Sequence, residues 1–338
     1  MHHSYILFFF IIMKKIYLLF IGLAFILSSC TSDNSALISN NSERNSSEIV
    51  NTSTNNKSLQ DLKSELILLN NRTFGDFSNG GKPQTRGFFK KLLNKILNFV
   101  VADAGGAIKG LISGNNVWTS AKTASISTLK SAFKSIGEEV LRAPAITNDT
   151  INSSVLATSL INPRDIALKD VVPVNIDVKD SDLDSIGYYH NKVIMTLFEK
   201  NNDALYWANL PADKIELEVQ GALEKEAIFE RLSLDTIGIN RHEMIDFYDK
   251  LSNALNSTDD SVKLCDKIHS LNPEMADLLS ILSVYIDGLE NVQAGEEWTN
   301  YTNEMLNIVN NSKVDELMKR NIRSSLIVAF ASSKLWKP

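Results

Sequence analysis

Histidine is the side chain that most often transfers protons at neutral pH, and three histidines follow the first thirty residues of this 338-residue chain. They are His190, His242 and His269. His190 is the best candidate for a specific role, because it stands beside Asn191 and at helical spacing from apolar Val193. That position fits a hydrogen-bonded core histidine and also the catalytic histidine of a hydrolase, and the first is the more frequent.

Two patterns of metal ligands are present only in part. His242 is followed four residues later by Asp246, whereas a zinc-protease helix has its second histidine there. Three aspartates have the 1-3-5 spacing of a calcium loop: Asp180, Asp182 and Asp184. Ser185 and Asn191 occupy the positions where that loop needs glycine and glutamate. The sequence therefore predicts no metal site, and it contains no motif for another cofactor.

Cys265 is a candidate nucleophile only through His269, four residues away on the same predicted helix. Its alignment with Val262 and Ile268 predicts instead a small buried side chain. No complete catalytic set is present, and we predict no catalytic residue.

The first 29 residues have the pattern of an export signal. Met13-Lys14-Lys15 forms a basic start, and the twelve apolar residues at 16–27 that follow are too few to span a bilayer. The stretch ends in Leu27-Ser28-Ser29-Cys30, which resembles the lipobox of bacterial lipoproteins. Starts at Met1 and at Met13 are both compatible with this signal, and an ordinary secretory signal is the alternative.

The resemblance to the lipobox implies a lipid anchor at Cys30. In such proteins the thiol receives a diacylglycerol, the chain is cleaved before the cysteine, and the new amino group is acylated, for example with palmitate. Several acyl chains hold a protein stably on a membrane. We therefore expect a protein of the cell envelope that is tethered to the outer membrane. The pattern is compatible with an anchor in either leaflet of that membrane.

Three short segments of the mature chain resemble a set of exported bacterial proteins of unknown activity. The segments are VADAGGA at 101–107, IGYYHN at 186–191 and VAFASSKLW at 328–336. The resemblance implies no activity, but it suggests that the two halves of the chain form one unit.

Residues 88–100 predict a strongly amphipathic helix with a cationic polar face. Apolar residues stand at 89, 92, 93, 96, 97 and 100, with lysine or asparagine at every position between them except Phe99. Glycines that let another backbone approach closely follow at four-residue spacing: Gly106, Gly110 and Gly114. The layout resembles that of some membrane-active bacterial peptides, but Asp103 and Lys109 interrupt it, so no stretch is expected to reach membrane-spanning length. A soluble core helix is favoured, and a membrane-active segment at 88–114 stays open.

The body of the chain is predicted to be all-α. Hydrophobic residues make up 44% of the composition, and two cysteines exclude a disulfide-rich scaffold. Periodicity predicts helices over 59–70, 88–113, 117–142, 182–201, 211–232, 240–255, 259–271, 272–291, 296–310 and 312–335. Residues 143–181 are expected to be irregular, and the Ser-, Asn- and Thr-rich residues 30–58 to be a flexible tether. We predict an irregular multi-helix bundle preceded by this disordered tether.

Charge is unevenly divided between the two parts of the bundle, 59–142 and 143–338. Residues 57–142 carry 13 Lys+Arg and 6 Asp+Glu, whereas residues 143–338 carry 18 and 31. These opposite balances favour docking of the two parts as one unit, and attraction of the basic part to anionic lipid is the alternative. The net charge of −6 argues against nucleic acid as a partner.

Together these observations predict an envelope lipoprotein whose helical body binds or scaffolds an envelope protein or a glycan without catalysis. Two alternatives stay open. One is a membrane-active protein that acts through residues 88–114, and the other is an envelope hydrolase that uses His190.

Overall fold

A computed structural model describes six stretches of the chain: residues 48–75, 88–114, 117–135, 185–225, 241–292 and 296–336. The predicted signal at 1–29, Cys30 and the tether up to residue 47 lie outside the described residues. So do the segment predicted to be irregular, 143–181, and the aspartates of the calcium-like pattern.

The described residues form eleven helices and no strand, which confirms the all-α prediction. The helices are α1 (Glu48–Phe74), α2 (Phe88–Gly114), α3 (Val117–Ser127), α4 (Ile186–Lys200), α5 (Ala204–Asn209), α6 (Ala212–Lys225), α7 (Arg241–Leu255), α8 (Ser261–Leu271), α9 (Ala276–Asn291), α10 (Glu296–Asn311) and α11 (Glu316–Leu335). A π-helical turn at Thr128–Ala132 continues α3, and a 3-10 turn at Pro273–Met275 precedes α9.

The first helix begins earlier than the sequence predicts. It starts at Glu48, so residues 48–58 of the predicted tether are helical. Its buried leucines recur at helical spacing: Leu59, Leu62, Leu66 and Leu69. A helix anchored by such a face extends readily, because each added residue gains a backbone hydrogen bond once the first turn exists.

Aspartate side chains cap the first turns of three helices. Asp203, Asp260 and Asp315 accept hydrogen bonds from backbone N–H groups two or three residues later, at 2.9–3.0 Å. Asn272 occupies the N-cap position of the 3-10 turn before Pro273, but its side chain forms no capping hydrogen bond there. Its side chain donates backwards to the Ile268 carbonyl oxygen at 3.1 Å, and a 3-10 turn separates it from α9. The backbone N–H of Asn272 donates to the same Ile268 oxygen at 2.9 Å, so this residue ends α8 with both its backbone and its side chain.

Helix α2 is the element around which the others pack. It contacts α3, α11, α8 and α9. Ile96, Leu97 and Val100 on its apolar face are fully buried, and Leu93 is half-buried. The described part of the apolar face predicted from the sequence is therefore directed into the helical body.

Two glycines bring the backbones of α2 and α3 into direct contact. A Cβ atom on Gly110 would lie 2.6 Å from the carbonyl oxygen of Thr119, and one on Gly106 would lie 2.9 Å from the Cα atom of Ala124. Real Cβ atoms do not approach other atoms this closely. The close approach expected from the glycine spacing is thus present at both positions.

Ion pairs join the basic part of the chain to the acidic part. Lys109 Nζ lies 2.8 Å from Glu274 Oε1, and Lys122 Nζ lies 2.6 Å from Glu216 Oε1. Both lysines are nearly buried, whereas the carboxylates are partly exposed. The pairs attach α2 to the 3-10 turn and α3 to α6, next to a hydrophobic core that includes residues from both parts.

A cluster of uncharged, hydrogen-bonded side chains connects α1 to α9 and α10. Tyr301 donates to the side-chain oxygen of Asn70 at 2.7 Å, and the Asn70 amide donates to the Val284 carbonyl oxygen at 2.9 Å. The Tyr285 hydroxyl lies 2.7 Å from Thr302 Oγ1, and the two tyrosine rings stack with centroids 5.7 Å apart. Burial raises the pKa of both phenols. We call Asn70, Tyr285, Tyr301 and Thr302 the tyrosine cluster.

Candidate functional site

A carboxylate stands in the middle of α2, where the neighbouring residues are apolar. Asp103 is fully buried, and both of its oxygens accept hydrogen bonds. Oδ1 accepts from the Thr128 hydroxyl in the π-helical turn. Oδ2 accepts from the Ser332 hydroxyl at 2.6 Å and faces His190 Nε2 at 3.2 Å. The indole N–H of Trp336 completes the set at 3.5 Å.

His190 uses both of its ring nitrogens inside the core. Nε2 faces Asp103, and Nδ1 lies 3.1 Å from Ser125 Oγ. Ser125 Oγ also lies 2.9 Å from the Ala121 carbonyl oxygen, to which it donates. A hydroxyl group has one proton, so Ser125 accepts from Nδ1–H while it donates to Ala121. Both ring nitrogens are therefore engaged by side chains of the core. We call Asp103, Ser125, Thr128, His190, Ser332 and Trp336 the Asp103 network.

Trp336 closes the network on its aromatic side. Its indole N–H also reaches Ser332 Oγ at 3.0 Å. Its ring lies 4.8 Å from the Phe99 ring and 6.2 Å from the Phe133 ring, measured between centroids. These apolar neighbours strengthen the hydrogen bonds to Asp103, because the local dielectric constant is low where water is excluded.

The order Ser125, His190, Asp103 is that of a hydrolase triad, with two differences. Nε2 rather than Nδ1 faces the carboxylate, so the two ring nitrogens are exchanged. All three side chains are 0% or close to 0% exposed, enclosed by helices that include α2, α3, α4 and α11. A nucleophile must touch its substrate, and in this geometry the Ser125 hydroxyl touches only its own core. The arrangement ties four helices together.

Asn191, next to His190 in the sequence, binds a different part of the core. Its amide donates to the Ala331 carbonyl oxygen at 2.6 Å. One turn earlier, a Cβ atom on Gly187 would lie 2.5 Å from the Ala331 Cβ atom. Helices α4 and α11 are therefore in direct contact. The two residues of the predicted His–Asn pair bind different partners: His190 faces Asp103, and Asn191 binds the Ala331 carbonyl oxygen.

The other candidate side chains differ in their exposure to solvent. Cys265 is buried, burial raises the pKa of its thiol, and His269 is exposed. His242 and Asp246 are exposed on α7, and Asp246 forms an ion pair with Lys250 at 2.7 Å. No group of three potential metal ligands is present in the part of the chain that the structure describes.

Helix α2 contains a segment that is long and apolar enough to cross a membrane, the 21 residues Leu93–Ser113. The prediction that no stretch reaches membrane-spanning length is therefore wrong. Alanine, valine and glycine around Asp103 and Lys109 keep the segment apolar on average in spite of the two charges. Most of the segment is buried inside the helical body, as in the core helix of a soluble protein.

Comparisons with protein-family models, curated proteins and solved structures find no match to this chain. What the site can do chemically is therefore inferred from its own contacts. The site brings together the segments 101–107, 186–191 and 328–336, which supply Asp103, His190 and the pair Ser332 and Trp336 to the network.

The sequence singled out His190 but missed the side chains that bind it. Asp103 was visible only as a charge that interrupts an apolar run, and that was the available signal, because a buried charge needs partners. Ser125 and Thr128 carry no signal of their own in a helix rich in serine and threonine.

Proposed function

We propose that this chain is a lipid-anchored protein of the bacterial cell envelope, and that its helical body binds or scaffolds an envelope protein or a glycan without catalysis. The basic start, apolar stretch and Cys30 of the first thirty residues support the anchor. The observation that carries the non-catalytic interpretation is the burial of His190, whose two ring nitrogens both bind side chains of the same core.

The anchor is tested by metabolic labelling with an alkyne fatty acid in a bacterial host that processes lipoproteins. The parent chain incorporates the label. Cys30→Ala loses the label and accumulates as the unprocessed precursor, because the acylated thiol is gone. Cys265→Ala is the matched control, since it removes the other cysteine and leaves labelling unchanged. Labelling that survives in Cys30→Ala overturns the anchor.

The binding function is tested by crosslinking the lipidated protein in its native envelope and purifying it with whatever is attached. We expect a recurrent protein or glycan partner with the parent chain. The Cys30→Ala chain recovers less of that partner, because it no longer reaches the same membrane. Equal absence of a recurrent partner from both preparations contradicts a scaffolding function.

The hydrolase alternative gives an opposite result in a separate assay. The mature chain is incubated with peptidoglycan and with lipid esters, and products are followed by mass spectrometry. Turnover that is lost in both Ser125→Ala and His190→Ala would establish a hydrolase and overturn the non-catalytic interpretation. Ser125→Ala is the sharper variant, because it removes one hydroxyl and leaves the Asp103–His190 pair in place.

A membrane-active function has one observation in its favour, the apolar length of Leu93–Ser113. The test is dye release from vesicles with anionic lipid, using a chain that lacks residues 1–47 and keeps α1 intact. We expect no release. We also expect a variant with Leu93→Lys and Leu97→Lys to unfold, because Leu97 is fully buried. Dye release by the parent, abolished in the variant, would favour membrane activity.

A further inference from the structure

The segment Leu93–Ser113 is a difficulty for a chain that has to pass through a membrane. Its length and composition meet the requirements of a membrane-spanning helix. A protein-conducting channel releases such segments sideways into the lipid according to their hydrophobicity. Retention there would leave everything after residue 113 on the wrong side of the membrane. This concern rests on the export that is part of the proposed function.

Asp103 is the middle residue of that segment, with ten residues on each side of it. The centre of a spanning helix is where a charged side chain opposes insertion most strongly. Lys109 is less effective, because it lies four residues from the end of the segment and a long lysine side chain can reach the interface. In the unfolded chain, Asp103 is therefore the residue best placed to oppose insertion.

The folded state gives a second, independent reason to ask why Asp103 is charged. A buried ion pair is often no more stabilising than apolar residues of similar volume. Yet this core devotes four donors, Thr128, His190, Ser332 and Trp336, to one carboxylate. An apolar residue at position 103 would need none of them, so folding alone does not account for the charge.

We propose that Asp103 is an export residue. Its charge lets the segment Leu93–Ser113 pass through the channel instead of stopping in the membrane, and the Asp103 network accommodates that charge once the chain has folded. Replacing the carboxylate with leucine would convert a core helix into a membrane anchor without lengthening it.

The experiment uses the full chain with alkaline phosphatase fused after Pro338. This enzyme becomes active only when it is exported, because it needs disulfides that form outside the cytoplasm. The parent fusion is active. Asp103→Leu changes the ratio of retained to exported chain by on the order of a hundredfold on an insertion scale. We expect phosphatase activity per molecule to fall at least tenfold and the fusion to resist protease added to spheroplasts.

Two controls separate passage from folding. Asp103→Lys destroys the network but keeps a charge at the centre of the segment, and we expect it to be exported like the parent. His190→Leu breaks the same network from α4 and leaves the segment unchanged, and we expect it to be exported as well. Amounts are normalised by immunoblot, so that loss by degradation is not counted as retention.

Three outcomes overturn the proposal. Asp103→Leu as active as the parent shows that the charge is not needed for passage, and leaves the proposed function intact. His190→Leu as inactive as Asp103→Leu shows that folding and not the charge is responsible. An inactive parent fusion also overturns the proposal, because the segment then stops in the membrane in spite of Asp103 or the chain is not exported at all. Fatty-acid labelling at Cys30 distinguishes the two cases, and the proposed function falls only if that labelling is absent as well.

Discussion

The Asp103 network and the tyrosine cluster are both buried polar groups that hold helices together, but they differ in the free-energy cost of losing one partner. The network contains a carboxylate and an imidazole, and its members come from α2, α3, α4 and the end of α11. The members of the tyrosine cluster are uncharged, and their hydroxyls and amide pair among themselves and with the backbone carbonyl oxygens of Val284 and Trp298. A charged neighbour, Asp287, lies at the edge of the cluster, with its Oδ2 3.4 Å from the Asn70 amide nitrogen. A neutral group that loses a partner leaves an unsatisfied dipole, whereas a charged group leaves an uncompensated charge.

The largest effect is expected from removing His190. His190→Ala leaves Asp103 buried without its imidazole partner and leaves a cavity where the ring was, and we expect the free energy of unfolding to fall by about 3–5 kcal/mol. Urea unfolding followed by circular dichroism measures this. A loss below about 1 kcal/mol, the typical value for a neutral hydrogen bond, would erase the distinction between the two regions.

A double variant sharpens that result. Asp103→Leu combined with His190→Leu removes both members of the pair together, so we expect a smaller loss than the sum of the two single variants. Strict additivity would mean that the two side chains act independently, in conflict with their separation of 3.2 Å.

The next effect concerns the backbone contact beside the network. Gly110→Ala places a Cβ atom 2.6 Å from the Thr119 carbonyl oxygen, and we expect a loss of about 1–3 kcal/mol from overpacking. Gly221→Ala in α6 is the matched control. It meets nothing within 4 Å, so we expect a gain of up to about 1 kcal/mol from helix propensity. Equal effects of the two variants in thermal unfolding would contradict the close packing of α2 on α3.

In the tyrosine cluster we expect a smaller loss. Tyr301→Phe removes the bond to Asn70 and leaves the asparagine oxygen without that donor, which costs about 1–2 kcal/mol in chemical denaturation. Tyr206→Phe is the control, because Tyr206 is 44% exposed and we expect no measurable change. A loss from Tyr301→Phe as large as that from His190→Ala would show that charge does not distinguish the regions.

The smallest expected effect is a change in stability that appears only at alkaline pH. Burial raises the pKa of Tyr285 and Tyr301 above the unfolded value of about 10. Their stabilising contribution is complete below that value, begins to be lost as the pH rises past it, and goes on being lost up to their raised folded pKa, because the unfolded chain releases protons that the folded chain retains. We expect the urea midpoint to fall progressively between about pH 10 and 12, and to fall less steeply in Tyr301→Phe. A midpoint that stays constant over this range would contradict the burial of these phenols.

The sequence predicts those features of the fold that depend on neighbours along the chain. Helix α2 and its glycines at 106 and 110 follow from spacing within one helix, and the structure bears them out. The Asp103 network does not follow from spacing, because His190 and Ser332 stand 87 and 229 residues from Asp103. The π-helical turn that supplies Thr128 is equally invisible, since its residues have ordinary helical composition.

The separation of 229 residues between Asp103 and Ser332 also sets an order in time. A chain is made from its amino terminus, so α2, α3 and α4 exist long before the donors at 332 and 336. Until those donors arrive, the carboxylate is better hydrated than buried, and closing the centre of the molecule is unfavourable. We therefore expect the burial of Asp103 to be completed only when the last helix packs against α2.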